Sequence, residues 1–326
     1  MRYYLIIITD PVTKKEVKRY SSLAPDGQFI PGALQVEFDI PIVGYGNPGS
    51  GGYLRIWGVS LQDISQANNL NDKLIAVYAG MSNGLPLANP NQQGPLMEGF
   101  IFQAYGNWVG TVQTLDFNVI PGQGPAADTN NFTFNYKKGS PFAQAIQTTL
   151  QIAYPYLSVD VSGVSADLVL AQDQQGQYTT LQSFAKYLKE VSKAISPPTS
   201  TGLPYYGVEV FFKGGQIVVK DNSAPPSDIK DISFKDLIGQ PTWNSPVTFQ
   251  FNAVLRGDLS VGDYIRMPIS QFTSVPQSLS RFRDNSGFQG VAQIIGEGSC
   301  IRHVGNSRQP DGMSWITTVN CVVPPA

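Results

Sequence analysis

The chain has 326 residues, 42% of them hydrophobic, which is enough for two or three cored domains and too much for a disordered chain. Only 14% are charged, and a formal net charge of −2 excludes a broad basic field for gripping phosphates. Gly (32) and Pro (24) take the place of the missing charge, so strands and turns are expected to outweigh helices.

The opening run, Arg2–Thr9, is apolar and strand-like and stops at Asp10-Pro11. It is too short for a signal peptide and no small-residue cleavage site follows it. No run of 18 or more apolar residues occurs, so no membrane-spanning segment is expected. Further strands are predicted at Lys15–Tyr20, Leu34–Asp39, Tyr53–Val59, Leu74–Ala79, Gly99–Tyr105 and Thr111–Ile120. A short helix capped by Ser60 is expected to turn Leu61 and Ile64 inward. Seven strands with one short helix predict a barrel or sandwich.

Pro and Gly clusters at 120–128, 196–202 and 222–227 break the chain. They predict three domains: an N-terminal β-barrel over 1–122, an α+β module over 123–227 and a second β-barrel over 228–326. In the middle module Ser140-Pro141 reads as the cap and first residue of a helix carrying Phe142, Ile146 and Leu150 on one face. A second helix starts near Thr180, with Leu181, Phe184, Leu188, Val191 and Ile195 at helical spacing. A hairpin over 207–220 follows. The last region returns to strands at Val247–Leu255, Tyr264–Pro268, Gly290–Gly296, Cys300–Val304 and Trp315–Val323. Its spacing echoes the first region, each ending in a strand after a tryptophan, Trp108 or Trp315.

Chemistry is hard to place. His303 is the only imidazole, and its strand setting reads as solvent-facing or interfacial rather than catalytic. One histidine and two cysteines 21 residues apart offer no zinc spacing, and no phosphate-binding glycine loop occurs. No catalytic, cofactor-binding or metal residue is assigned, and no enzyme activity is expected. Cys300 and Cys321 read as buried thiols. A turn within 305–312 would pair Cys300 with about Thr317 and Cys321 with about Gly296, too far apart for a disulfide. One dense charge group remains, Lys14, Lys15, Lys18 and Arg19, which is either a lysine-guarded sheet edge or a partner contact. Trp57, Trp108, Trp243 and Trp315 sit in or beside strands, where packing is favoured over sugar stacking.

Several landmarks together resemble the tail or baseplate hub proteins of long-tailed, Mu-like contractile phages and the related N-terminal hub module of VgrG-type spikes. They are Trp57-Gly58-Val59-Ser60 before a short helix, Val77-Tyr78-Ala79-Gly80 with Glu98-Gly99-Phe100-Ile101, and Lys138-Gly139-Ser140-Pro141 opening a helix. Downstream come Leu237-Ile238-Gly239-Gln240-Pro241, Leu255-Arg256-Gly257-Asp258, and Arg302-His303-Val304-Gly305-Asn306 with Trp315-Ile316-Thr317-Thr318. Asn306 stands where the family commonly has an acid, and the Asn/Gln-rich loop 88–95 is longer than usual.

The resemblance implies a homotrimeric virion protein of the tail tip or baseplate, assembled in the host cytoplasm. Its two barrels per chain would make a ring of six β-units, matching a hexameric tail tube to a trimeric central spike. Tail-tube or distal tail proteins, the spike and the tape-measure protein are the implied partners, and DNA would pass without specific binding. No cofactor is implied. The alternative is a cell-wall or carbohydrate-binding β-protein of a tail tip, with hydrolase activity.

Overall fold

The computed structural model describes residues 2–323 except 44–50, 83–88, 121–130, 156, 196, 198–204, 214–215, 224–227, 246–247, 269–289 and 295–298. Most of the expected Pro/Gly breaks lie outside the described residues. The first third contains β1 (Arg2–Thr9), β2 (Glu16–Ser21), β3 (Gln35–Val43), β4 (Gly52–Trp57), α1 (Leu61–Ser65), β5 (Leu74–Met81), β6 (Gly94–Val109) and β7 (Val112–Ile120). The middle contains β8 (Phe132–Tyr136), α2 (Phe142–Ala153), β9 (Ser158–Gly163), β10 (Gln174–Tyr178), α3 (Leu181–Ile195), β11 (Glu209–Lys213) and β12 (Gln216–Lys220). The last third contains β13 (Ile229–Asp231), β14 (Thr242–Ser245), β15 (Thr248–Val254), β16 (Tyr264–Arg266), β17 (Val291–Ile294), β18 (Ser299–Asn306) and β19 (Trp315–Val322). The chain is mainly β, with its two longer helices in the middle module.

Strand alternation sets the cores. Tyr4, Ile6 and Ile8 of β1, Val36, Phe38 and Ile40 of β3, and Leu115, Phe117 and Val119 of β7 all point into one apolar cluster. Each such side chain contributes about 1.5–3 kcal/mol by leaving water. A second cluster joins α2, α3 and β8–β12 through Phe132, Phe134, Phe142 and Phe184. A third gathers Trp243, Phe249, Phe251, Ile265, Ile294 and Cys321.

Three local expectations change. Leu61 is half exposed and only Ile64 of α1 packs inward, because the Ser60–Asp63 capping box fixes the helix at its first turn. Pro141 rather than Ser140 is the cap of α2, because the bridge Pro141↔Val169 holds it extended. Short or polar strands β8, β9, β10, β13 and β14 were not expected.

One large sheet runs through both β-regions in the order β2-β1-β5-β6-β7-β4-β3-β18-β19, with β15 and β14 beyond β19 on one side and β17, β16 and β13 on the other. The two regions repeat one strand order. Around β7 it is β1-β5-β6-β7-β4-β3, and around β19 it is β13-β16-β17/β18-β19-β15-β14. The paired hydrogen bonds repeat too. Asp72 N–H donates to Ile101 O at 2.8 Å and Gly262 N–H donates to Ile294 O at 2.7 Å. Ile101 N–H returns to Lys73 O at 2.9 Å, and Ile294 N–H returns to Asp263 O at 2.8 Å. Gly58 N–H reaches Gln113 O at 2.8 Å, and Leu255 N–H reaches Trp315 O at 3.1 Å. The repeat differs at its margin, where β1 is antiparallel to β5 but β13 is parallel to β16.

Candidate assembly surface and polar sheet face

The apolar clusters of the two β-regions lie on one side of the shared sheet, so strand alternation gives the other side to polar groups. Residues paired across strands share a face. Asp116 pairs with Arg55 and Tyr105, Asp39 with Tyr53 and Val304, and Arg302 with Thr318. From β6 through β7, β4, β3, β18, β19 and β15 this face presents Asn, Gln, Thr and Tyr interspersed with Trp57, Pro41, Val304, Ile316, Val254 and Val322. Its charges among the described residues are Glu37, Asp39 and Asp116 against Arg55 and Arg302.

Four of those five charges are paired with one another. Asp116 is fully buried and accepts from Arg55 Nε at 2.5 Å, Asn107 Nδ2 at 2.9 Å, Thr114 Oγ1 at 3.1 Å and the Tyr53 hydroxyl. Arg55 is held between rings, 5.5 Å from that of Tyr53 and 5.3 Å from that of Trp57. Burial, reinforced by the hydrogen bond to Asp116, pushes the Tyr53 phenol well above its ordinary range. Arg302 forms a forked pair with Asp39 at 2.8 and 2.5 Å. The face is therefore polar, nearly neutral and poor in free cations.

The four residues of the basic group have separate surroundings. Lys18 pairs with Asp63, and Arg19 with Glu16 at 2.6 Å. Lys14 and Lys15 are exposed at the β1–β2 turn, where Lys14 has a left-handed φ of 57°. Asp10 closes that turn by accepting from Thr13 N–H, and its ion pair with Lys73 at 2.6 Å holds its carboxyl well below the usual range.

His303 is buried, not solvent-facing: it is 1% exposed, Nδ1 lies 2.9 Å from Thr317 Oγ1, and burial pushes its imidazole down to about 3. The hairpin's own sequence does not mark this face as core, because Ile40, which lies beside His303 on it, comes from β3, outside the β18–β19 hairpin. Cys300 and Cys321 form no disulfide, and both are buried. The register expected for them is corrected, since Ile301 faces Val319 and Cys321 faces Ile294. The turn is centred later than the sequence implied, because a short helical turn at Gly312–Ser314 lies inside it. No group of three or more potential metal ligands occurs among the described residues.

The tryptophans separate. Trp243 and Trp315 are 5% and 3% exposed, whereas Trp108 is 61% exposed at the tip of the β6–β7 hairpin, beside exposed Val109 and Val112. Phe234, opening a short helical turn (Phe234–Asp236) soon after β13, is also largely exposed, a feature that sequence reasoning missed.

No protein-family model matches the sequence, and no curated protein matches it. Solved structures do. The tail protein from Neisseria meningitidis MC58 aligns with 11% identity over 99% of this chain and 96% of that one, with a TM-score of 0.53. The 43 kDa tail protein of prophage MuSo2 from Shewanella oneidensis aligns with 9% identity over 99% and 97% of the chains, at 0.49. A chain of the Francisella PdpA–VgrG complex aligns with 9% identity over 99% of this chain and 58% of that one, at 0.48. The first likeness establishes the fold: this chain and that tail protein are built alike from end to end.

Proposed function

We propose that the chain is a structural, non-enzymatic subunit of a phage-type tail. Three copies form a hub ring at the tail tip or baseplate, joining a hexameric tail tube to a central spike. Residues 1–122 and 228–326 are the two ring units, and 123–227 is a module carried between them. The observation that carries this reading is the repeated strand order with its matching hydrogen bonds, joined within one chain by β3 and β18. Two like units per chain give six units from three chains, which fits a sixfold tube above and a threefold spike below.

The polar sheet face supports the same reading. Lining a bore with Asn, Gln, Thr and internally paired charges leaves few cations to trap DNA by releasing its counterions, so a tape-measure protein and then DNA can pass. Assembly in the host cytoplasm and residence in the virion follow from that role. Mass measurement and three-dimensional reconstruction of the purified assembly test it. Three chains with six β-units about one axis are expected, and a chain that is single at every concentration, or a twofold dimer, overturns it.

A further inference from the structure

The small sheet of β9, β12 and β11 in the middle module has two apolar faces. Val210, Ile217 and Val219 point into the module's own core, whereas Phe211, 3% exposed, and Val218 pack into the core of the last β-region. Residues facing each other across β11 and β12 share a face, so Glu209 and Lys220 lie on the same side as Phe211 and Val218. Across the joint, Tyr264 of β16 faces Gln293 of β17. A cavity of about 10 Å³, room for no more than one water, is left between Tyr206, Glu209, Lys220, Asp221 and Gln293.

Charges of alternating sign cross this joint. Lys220 Nζ lies 5.2 Å from the centre of the Phe211 ring and 3.9 Å from Asp263 Oδ1. Its stem passes over Gly262, where a Cβ would clash with Lys220 Cε. Asp263 in turn accepts from Lys230 Nζ at 2.8 Å and from Ser260 N–H at 2.8 Å. Lys220 is therefore shared: it faces Glu209 on its own sheet and reaches toward Asp263 in the last β-region. Also around Glu209 are Lys189 on α3, the Tyr264 phenol on β16, and Asp221 and Tyr206 at the cavity.

We propose that this joint is a proton-operated hinge: the middle module stays seated on the last β-region while Glu209 holds a proton and lifts from it as Glu209 ionises. In the seated state an ionised Glu209 sits in a joint with room for a single water, beside a lysine that Asp263 also draws. Lifted, the same carboxylate faces solvent. Burial in the seated state pushes the Glu209 carboxyl up to about 7 from an ordinary 4.5, against the opposing pull of Lys189 and Lys220. A carboxyl raised in this way supports seating fully below pH 4.5, and that support is lost as pH rises to about 7. The seating constant should therefore fall by up to about tenfold per pH unit between those values and level off above them. The hinge uses contacts within one chain, so it stands apart from the hub reading.

The test is hydroxyl-radical footprinting of the full-length chain at about pH 5 and about pH 8, read by mass spectrometry. Oxidation of Phe211, scaled to that of the exposed Ile152 on α2, should be several-fold faster at the higher pH. Glu209→Gln should keep Phe211 protected at both. Asp263→Asn, which leaves Lys220 to Glu209, should shrink the rise. Equal protection of the wild-type chain at the two pH values, or a full rise that survives in either variant, overturns the hinge.

Discussion

Asp72 and Gly262 hold the same backbone state in the two β-regions, with φ of 61° and 78°, and each donates its N–H to the first isoleucine of the matching strand pair. One is an aspartate in a conformation that favours glycine, and the other is the glycine itself. Asp72→Gly should therefore leave stability unchanged or raise it by about 0.5–1 kcal/mol, whereas Gly262→Asp should lower it by about 1 kcal/mol or more. Denaturant melts of the two variants check this, and opposite signs are the expected result.

Asp116 gives a larger effect. Asp116→Ala removes the acceptor of four donors and leaves Arg55 without its ion pair, a loss expected to cost about 3 kcal/mol. Asp116→Asn keeps an acceptor and should cost about half as much. Equal losses in the two variants would mean that packing rather than charge holds this site.

His303 sets a pH dependence. Its folded imidazole protonates only at about 3, while an unfolded histidine protonates near 6.5. Its contribution is thus complete above pH 6.5 and is lost as pH falls through that window toward 3, by up to roughly 1.4 kcal/mol per pH unit. His303→Gln should flatten that part of the stability curve, and an unchanged slope would count against the assignment.

Thiol chemistry should follow burial. Burial pushes the Cys321 thiol well up, and Cys300 is fully buried beside the same core. Neither should react with a water-soluble disulfide reagent in the native protein, and two thiols per chain should appear in denaturant. Rapid native labelling of either would contradict the placement.

How far the sequence could be read depended on where each residue's partners come from. β1 and α3 were legible because their apolar periods are internal to one segment, Tyr4, Ile6, Ile8 in one and Leu181, Phe184, Leu188 in the other. β10, Gln174–Tyr178, has no apolar alternation and exists because it pairs with β8. Alternation along β7 sets Asp116 opposite Leu115 and Phe117, but its burial comes from Arg55 and Tyr53 on a neighbouring strand. The burial of His303 is hidden for the same reason, since Ile40 beside it belongs to a distant strand, and the exposure of Phe234 has no sequence signal.

The pairing of β3 with β18 also dictates an order of events during synthesis. Arg302 and Asp39 are 263 residues apart, so β3 emerges from the ribosome long before the strand that covers it. Until the last strands are made, the nascent chain carries an open sheet edge, the kind of surface that pairs with any compatible strand. Closure of the sheet is therefore the final step of the chain's own folding, and a prematurely ended chain keeps that edge open to any strand it meets.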